Sequence, residues 1–311
     1  MAEQVGGPVA TRVLHCNFNT TDVDAALRFY VEGLGLTERM RSVSDSGFSE
    51  GLGMTEETHS VASFAYDHRG GRVAPAIELV EWTVPPTIGE AYATPSEVGM
   101  QAAGFAVPSV RDAVAACVAA GGTLVPAHVA SADPAICVAA IVKDPDGVTV
   151  ELLGDPDAPS GRFRSIRLVV ADLDAAGAWY RSIGFRSVGG PVVGRYESDD
   201  PTWDGAVTVQ RLVPGVLENV ELHLTRWDDR GEQGPAHVAA NSRGMFRMAL
   251  GVDDVRQAVS LARPPVVPGT PELIPLPGTP LGGLWVTFMR DADGVMVEFV
   301  ERPLDAPKAQ G

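Results

Sequence analysis

The sequence predicts an α+β protein made of four related units, two in each half of the chain. A repeat is the first observation: Asp22–Tyr30 matches Asp172–Tyr180, 150 residues later, and the Leu34-Gly35 that follows the first matches the Ile183-Gly184 that follows the second. The second is that each repeat combines a short helical pattern with several strand patterns. The third is the content of hydrophobic residues, 45%, which is enough to form two ordinary cores.

In the first unit, alternation of apolar and polar residues predicts a strand. Leu14, Cys16 and Phe18 are expected on the helix-packing face, with His15, Asn17 and Asn19 on the opposite, polar face. Asp22 is a candidate N-cap for the helix that follows, and Gly33 and Gly35 are expected to end it. Further strands are predicted near Leu36–Val43, Ser60–Tyr66 and Ala74–Trp82.

The second unit is predicted to begin with a strand at Met100–Val107 and a helix at Val110–Ala120, and to end with a strand at Val148–Leu153. Asp144-Pro-Asp-Gly147 is typical of a hairpin turn, in which Gly147 supplies the positive φ. The third and fourth units repeat this order from Ser165 and from Met245. The predicted domains are therefore 1–156 and 162–305, with a linker at 157–161 and a tail at 306–311.

Composition excludes some partners and locations. The net charge is −16, so we expect no nucleic-acid binding, because a phosphate backbone requires a basic surface. The three cysteines form no CxxC or zinc-ribbon pattern, which favours a reducing compartment. With no signal-peptide pattern and no apolar run long enough for a membrane span, a cytoplasmic protein is expected. Its partner is then a small molecule, and the chain is a monomer, with its halves forming a pseudo-dimer, or a homodimer.

The repeated Asp–helix–Phe-Tyr–Leu-Gly pattern and the Asp-Pro-Asp-Gly-x-x-x-Glu151 ending resemble the vicinal-oxygen-chelate superfamily, which includes glyoxalase-like and bleomycin-resistance-like proteins. The resemblance covers nearly the whole chain. It implies four βαβββ units in two tandem domains, with curved mixed sheets that enclose a cup. It also implies that metal ligands of the enzymes lie on the first and last strands of each unit. It does not specify a reaction, because the same fold hosts many.

In the family, the ligand on the first strand lies seven residues before the helix-capping acid, and this position is His15. The last strands offer Glu78 and Glu151, each flanked by apolar neighbours, and burying such a carboxylate requires a partner. The fourth position is Ala102, which cannot ligate and has only Gln101 beside it. The resemblance thus implies a site of His15, Glu78 and Glu151 for a divalent metal ion (Mn, Fe, Zn, Ni or Co).

The C-terminal half offers a different set of residues. Ser165 and Arg247 occupy the first-strand positions, and His223 and Glu298 the last-strand positions. Arginines among carboxylates predict an internal salt-bridge network, or else a pocket for an anionic group. Two pairings stay open. Units can pair within each half, or the first can pair with the fourth, which would place His15 and Glu78 with Arg247 and Glu298.

Two functions follow from the resemblance. The first is a metal-dependent lyase, isomerase or oxygenase that acts on vicinal oxygens through an enolate-like intermediate, with Glu78 or Glu151 as the catalytic base. The excess of arginine over lysine, which occurs only at Lys143 and Lys308, favours a role in secondary metabolism. The alternative is a metal-free protein that sequesters a small molecule, for which the acidic charge and the tryptophans favour a cationic or planar ligand. Candidate substrate-binding residues are Asn17, Gln101, Trp82, His223, Arg247 and Glu298.

Overall fold

The structure is a computed structural model that describes residues 9–230, 239–261, 267–275 and 282–304. The predicted 306–311 tail lies outside these residues. The first unit consists of β1 (Ala10–Thr20), α1 (Val23–Arg28) continued by a π-helical turn (Phe29–Gly33), β2 (Thr37–Ser49), a 3-10 turn (Glu50–Leu52), β3 (Met54–Tyr66) and β4 (Ala76–Val84). The second consists of β5 (Gly99–Val107), α2 (Val110–Ala119), β6 (Thr123–Val125), β7 (Ala127–Ser131), a 3-10 turn (Pro134–Ile136), β8 (Ala140–Lys143) and β9 (Thr149–Gly154).

The second half repeats the order. The third unit consists of β10 (Arg162–Val169), α3 (Leu173–Ser182), β11 (Phe185–Ser187), β12 (Val192–Ser198), β13 (Gly205–Pro214) and β14 (Glu221–Trp227). The fourth consists of β15 (Gly244–Val252), α4 (Val255–Leu261), β16 (Val267–Pro268), β17 (Glu272–Pro275), β18 (Gly283–Arg290) and β19 (Met296–Glu301). No helix in the described part of the chain is long and apolar enough to cross a membrane.

Side-chain caps explain where the helices start. The Asp22 carboxylate accepts hydrogen bonds from the backbone N–H groups of Asp24 and Ala25, and Asp172 caps α3 in the same way. Such caps satisfy N–H groups that have no partner within the helix. The predicted N-cap of the first unit is confirmed.

The four units form two sheets, and each sheet combines one unit from each half of the chain. The first sheet has the order β16-β18-β19-β15-β1-β4-β3-β2, with β17 beside β18. The second has the order β6-β8-β9-β5-β10-β14-β13-β12-β7, with β11 beside β13. The first unit therefore pairs with the fourth, through antiparallel β1 and β15, and the second pairs with the third, through antiparallel β5 and β10. Each sheet therefore contains strands from both sides of the predicted linker, and neither sheet corresponds to one half of the sequence.

The two sheets differ in how far they close. At one end of the second sheet, β7 pairs with β12, and Val129 also bridges to Val138, next to β8 near the opposite end. This sheet therefore curls nearly into a barrel. The path of the first sheet ends at β2 on one side and at β16 on the other. Its concave face stays open as a cup.

One large hydrophobic core joins the two sheets through the helices between them. It contains buried residues of all four units, including Phe29, Tyr30, Phe105, Phe163 and Tyr180. Phe105 of β5 stacks on Phe163 of β10 with the ring centroids 5.2 Å apart. Because this core lies between the sheets, the side chains on the concave face of each sheet are not part of it.

Candidate functional site

The pairing of the first and fourth units brings four polar side chains to the floor of the open cup. Asn17 of β1 is in register with Glu78 of the parallel strand β4 and with Arg247 of the antiparallel strand β15. Glu298 of β19 is in register with Ala249, two residues after Arg247. His15, two residues before Asn17, completes the set. The cup-floor network is therefore His15, Glu78, Arg247 and Glu298.

Arg247 is the centre of the cup-floor network. Its Nη2 atom donates to both carboxylate oxygens of Glu78, at 3.0 and 2.7 Å, and its Nε atom donates to Oε2 of Glu298 at 2.9 Å. The Nε2 atom of His15 lies 3.4 Å from Oε2 of Glu78 and 3.3 Å from Oε2 of Glu298. One guanidinium thus bridges two carboxylates, and the imidazole contacts both.

Buried charges in this network compensate one another. Burial by itself raises the pKa of Glu298, but the charge of Arg247 and the contact with His15 outweigh it and hold that pKa at about 2. Burial by itself lowers the pKa of Arg247, and the charges of Glu78 and Glu298 outweigh it, so that this pKa is raised. Arg247 is therefore a permanent cation between the carboxylates.

A cavity of about 520 Å³ lies above the network, a size that suits a small organic ligand. The ring of Phe64 meets that of His15 edge to face, with the centroids 5.6 Å apart. Tyr66 and three further arginines, Arg12, Arg72 and Arg302, also line the cavity. The rest of the wall is mostly apolar and consists of Val13, Leu14, Met40, Gly71, Val73, Ala74, Ile274, Leu284, Val286 and Val300, together with Asn219.

The second sheet also contains an ion pair between an arginine and a glutamate, but this pair is fully buried. Arg167 donates from Nε and Nη2 to the two oxygens of Glu151 at 2.7 and 2.9 Å, and both side chains are 1% exposed. The hydroxyl of Tyr196 donates to the same carboxylate at 2.8 Å, and Thr225 accepts from Arg167 at 2.9 Å. Burial raises the pKa of Glu151, but Arg167 outweighs it, and the pKa is lowered.

Aromatic packing fills the concave side of the second sheet. Tyr196 stacks on Trp227 with the centroids 4.9 Å apart, and Trp203 belongs to the same buried cluster. The Glu151–Arg167 pair is therefore an internal ion pair of a nearly closed sheet, buried beside this aromatic cluster.

Sequence and structure comparisons agree with this architecture. Residues 12–152 match the family described as the Glyoxalase/Bleomycin resistance protein/Dioxygenase superfamily. The matched residues comprise the first two units of the chain. Glyoxalase I from Zea mays superposes on it with a TM-score of 0.66 at 18% identity, over 93% of this chain and 92% of that one. Two single-residue variants of the maize enzyme give TM-scores of 0.65 and 0.63, also at 18% identity and over 93% of this chain, covering 92% and 93% of theirs.

No curated protein matches the sequence significantly. At 18% identity, the likeness to the maize enzyme establishes the superfamily's fold and not its reaction.

The structure separates the three metal ligands that the superfamily pattern implied. His15 and Glu78 lie together in the open cup, but Glu151 lies in the other sheet, paired with Arg167. The grouping of His15, Glu78 and Glu151 into one site is wrong, because the first unit pairs with the fourth and not with the second. Glu151 is also too deeply buried to serve as a base at the cavity.

The six candidate substrate-binding residues are divided between the two sheets. Arg247 and Glu298 line the cavity, whereas Asn17 is fully buried beside them. Trp82 is buried and donates from Nε1 to Asn19 at 3.1 Å. Gln101 and His223 belong to the second sheet, where His223 contacts Glu221 at 3.1 Å and burial lowers its pKa. Trp82, Gln101 and His223 therefore do not line this cavity, and their contact with a ligand stays a prediction.

Sequence reasoning missed Arg12, Phe64, Tyr66 and Arg302. A usable signal existed for Arg302: Glu298, Val300 and Arg302 alternate along one face at the end of β19, and all three line the cavity. Leu14 was assigned to the helix-packing face, but it lines the cavity. A register irregularity between Val13 and His15 interrupts the alternation of β1.

The cup-floor residues do not fit the metal ion that the superfamily implies. His15, Glu78 and Glu298 offer one nitrogen and two carboxylates, which is a reasonable donor set for a transition metal. Arg247, however, occupies the position of the fourth ligand and binds both carboxylates. Within the described residues, no three His, Cys, Asp or Glu side chains are arranged to hold a metal ion. A second cation here would have to displace the guanidinium.

Proposed function

We propose that this chain binds a small organic molecule in the open cup of the first and fourth units, without a metal ion. The observation that carries the proposal is the cup-floor network, in which Arg247 pairs with both Glu78 and Glu298 beneath an apolar cavity of about 520 Å³. A guanidinium cannot act as the Lewis acid that the metal-dependent hypothesis requires at this position. The proposal therefore favours the metal-free alternative.

The apolar wall indicates the main source of affinity. Phe64, Leu14, Val286 and Val300 present hydrocarbon surface to the cavity, and burial of a ligand against them is favourable by roughly 25 cal/mol per Å² of apolar surface. Arg247 keeps one further group for a ligand: its Nε and Nη2 atoms are engaged, whereas Nη1 has no hydrogen-bond partner among the described residues. A carbonyl or hydroxyl oxygen of a ligand would fit there.

A second candidate is a metal-independent enzyme that transfers a proton to or from the bound molecule. His15 favours it, because its ring lines the cavity and its Nε2 atom contacts both Glu78 and Glu298. In this reading, His15 moves the proton and Arg247 stabilises negative charge that develops on a ligand oxygen. Exchange of enolisable ligand protons for deuterium, lost in His15→Gln, would favour this candidate over binding alone.

The binding proposal is tested with N-phenyl-1-naphthylamine, a neutral apolar probe whose fluorescence rises in apolar surroundings. Met40 lines the cavity and Val43 of the same strand does not, and both are well exposed, at 50% and 63%. We expect one probe per chain and a Kd at least about fivefold weaker in Met40→Asp, because the new charge must be desolvated against the ligand. The matched variant Val43→Asp should leave the Kd unchanged.

Metal independence is measured on the same samples. Probe binding should be unaffected by EDTA or by added Mn²⁺ or Zn²⁺, and elemental analysis should find no stoichiometric transition metal. In Arg247→Gln, which frees His15, Glu78 and Glu298, uptake of about one Zn²⁺ is expected. About one metal ion in the unaltered protein, lost in His15→Ala, would overturn the proposal in favour of a metal-dependent enzyme.

A further inference from the structure

Three arginines at the cavity wall have no carboxylate partner among the described residues. They are Arg12 of β1, Arg72 of the β3–β4 connection and Arg302 after β19, and all three line the cavity above the cup-floor network. Burial lowers the pKa of Arg12, and the nearby charge of Arg302 lowers it further. Two cations are therefore held close enough to repel each other in a partly desolvated wall.

The charge of the cavity is opposite in sign to that of the protein. The chain carries a formal charge of −16. The cavity is lined by four arginines against two glutamates, and both glutamates are already paired with Arg247. Arg12, Arg72 and Arg302 are thus an unbalanced positive group. What distinguishes this wall is that three such arginines line one cavity.

We propose that the ligand of this cavity is an anionic amphiphile: an apolar, planar body carrying a carboxylate or phosphate group that pairs with Arg12 and Arg302. This inference rests on the proposed function and names its ligand class. It replaces the cationic ligand expected from overall composition. That expectation used Trp82, Trp203, Trp227 and Trp285. The first three are buried in packed clusters, and none of the four lines the cavity.

The cavity has an apolar part and a positively charged part, which would bind the two ends of such a ligand. Its apolar body packs between Phe64, Tyr66 and Val286, where the aromatic rings offer flat surface. Its anionic group lies towards Arg12 and Arg302, and Arg72 adds a third positive charge on an exposed turn. Guanidinium groups bind carboxylate and phosphate oxygens with paired, charge-assisted hydrogen bonds. Binding of an anion also relieves the repulsion between Arg12 and Arg302.

Two fluorescent probes with the same aromatic skeleton test this inference. 1-Anilinonaphthalene-8-sulfonate is anionic, and N-phenyl-1-naphthylamine lacks the sulfonate. In the double variant Arg12→Gln/Arg302→Gln, we expect the Kd of the sulfonate to rise at least about tenfold and that of the neutral probe less than about twofold. Raising the ionic strength should weaken only the sulfonate. Arg111→Gln, which removes an arginine whose side chain is 91% exposed, is the matched control and should change neither Kd.

The outcomes separate this inference from the proposed function. If the double variant weakens both probes equally, or neither, the anionic class is wrong while the neutral probe still reports a cavity. If neither probe binds the unaltered protein, the proposed function fails as well. Competition against the sulfonate by 2-naphthoate and by 2-naphthyl phosphate then distinguishes a carboxylate from a phosphate, and displacement by neither would contradict the inference.

Discussion

At the scale of single residues, two arginines on equivalent strands have different surroundings. Arg247 lies at the floor of an open cavity, with its side chain 10% exposed, whereas Arg167 is 1% exposed and surrounded by Glu151, Thr225 and Tyr196. A buried ion pair is costly to desolvate, and removal of one partner leaves the other charge without compensation. The same residue type therefore serves a ligand cavity in one sheet and internal structure in the other.

This difference predicts the effect of removing the sealed arginine. Arg167→Met should lower the free energy of unfolding by about 3–5 kcal/mol, because Glu151 would stay charged and buried. The double variant Arg167→Met/Glu151→Leu should recover most of this loss. Urea denaturation measures both, with Arg111→Met, at an exposed position, as a control expected within about 0.5 kcal/mol of the parent. A double variant no more stable than the single one would show that packing, and not the charge, dominates.

Individual residues were predictable where strand alternation is regular. His15 and Glu78 were placed on the concave side from sequence, and they contact each other there. Leu14 was misplaced, because the irregularity of β1 between Val13 and His15 depends on pairing with β15, more than 200 residues away along the chain. The residues around Leu14 in the sequence do not indicate this irregularity, because it arises from the pairing with β15.

At the scale of elements, the two hairpin turns join the sheets to each other. Asp144, between β8 and β9, accepts from the backbone N–H groups of Asp146 and Val148, and its other oxygen accepts from the hydroxyl of Tyr30 at 2.9 Å. Tyr30 follows α1 of the first unit, so this bond crosses from one sheet's units to the other's. Tyr180 and Asp291 repeat it at 2.9 Å. The motif residues predicted as turn formers thus also connect the two sheets.

The turns predict a pH dependence. Burial, together with the charge of Asp146, raises the pKa of Asp144 to about 7 against the opposing effect of its hydrogen bonds. In the unfolded chain the pKa of this carboxyl is ~3.9. Between pH 3.9 and pH 7, roughly, the folded protein therefore keeps a proton on Asp144 that the unfolded chain has lost. Stability should therefore be fully present below about pH 4 and decrease by up to about 1.4 kcal/mol per pH unit as the pH rises to about 7.

Urea denaturation from pH 4 to 8 checks this prediction. Asp144→Asn keeps an acceptor for the two backbone N–H groups but cannot ionise, so the difference in stability between parent and variant should change across this range in favour of the variant. Asp157→Asn, in the exposed linker, is the control and should give a constant difference. A constant difference for Asp144→Asn too would contradict the raised pKa.

At the scale of the whole molecule, the arrangement of units could not be predicted from sequence. The repeats define four units, but they do not decide which unit pairs with which. The structure selects the pairing of the first unit with the fourth and the second with the third. The decisive contacts are between strands that lie far apart in the chain, where the repeat pattern is equally compatible with either partner.

The cross-paired sheets predict the outcome of cutting the chain at its linker. A protease site inserted between Pro156 and Asp157, both exposed, should be cleaved without separating the fragments, because each sheet contains strands from both. The nicked protein should elute at the parent's size and keep its affinity for N-phenyl-1-naphthylamine. Separation of the fragments under native conditions would contradict the observed pairing. After denaturation, neither fragment alone should bind the probe, and mixing them should restore binding.

The cross-pairing also has a consequence for biosynthesis. The second and third units are contiguous between Gly99 and Trp227, so the nearly closed sheet can form while the ribosome is still making the fourth unit. Strand β1 is made first but must wait for β15 and β19 before its own sheet is complete. A nascent chain stalled before residue 244 would therefore carry an unpaired edge of β1 and no binding site. The cavity exists only once the fourth unit has been made, and until then we expect the exposed strand edge to be a binding site for chaperones.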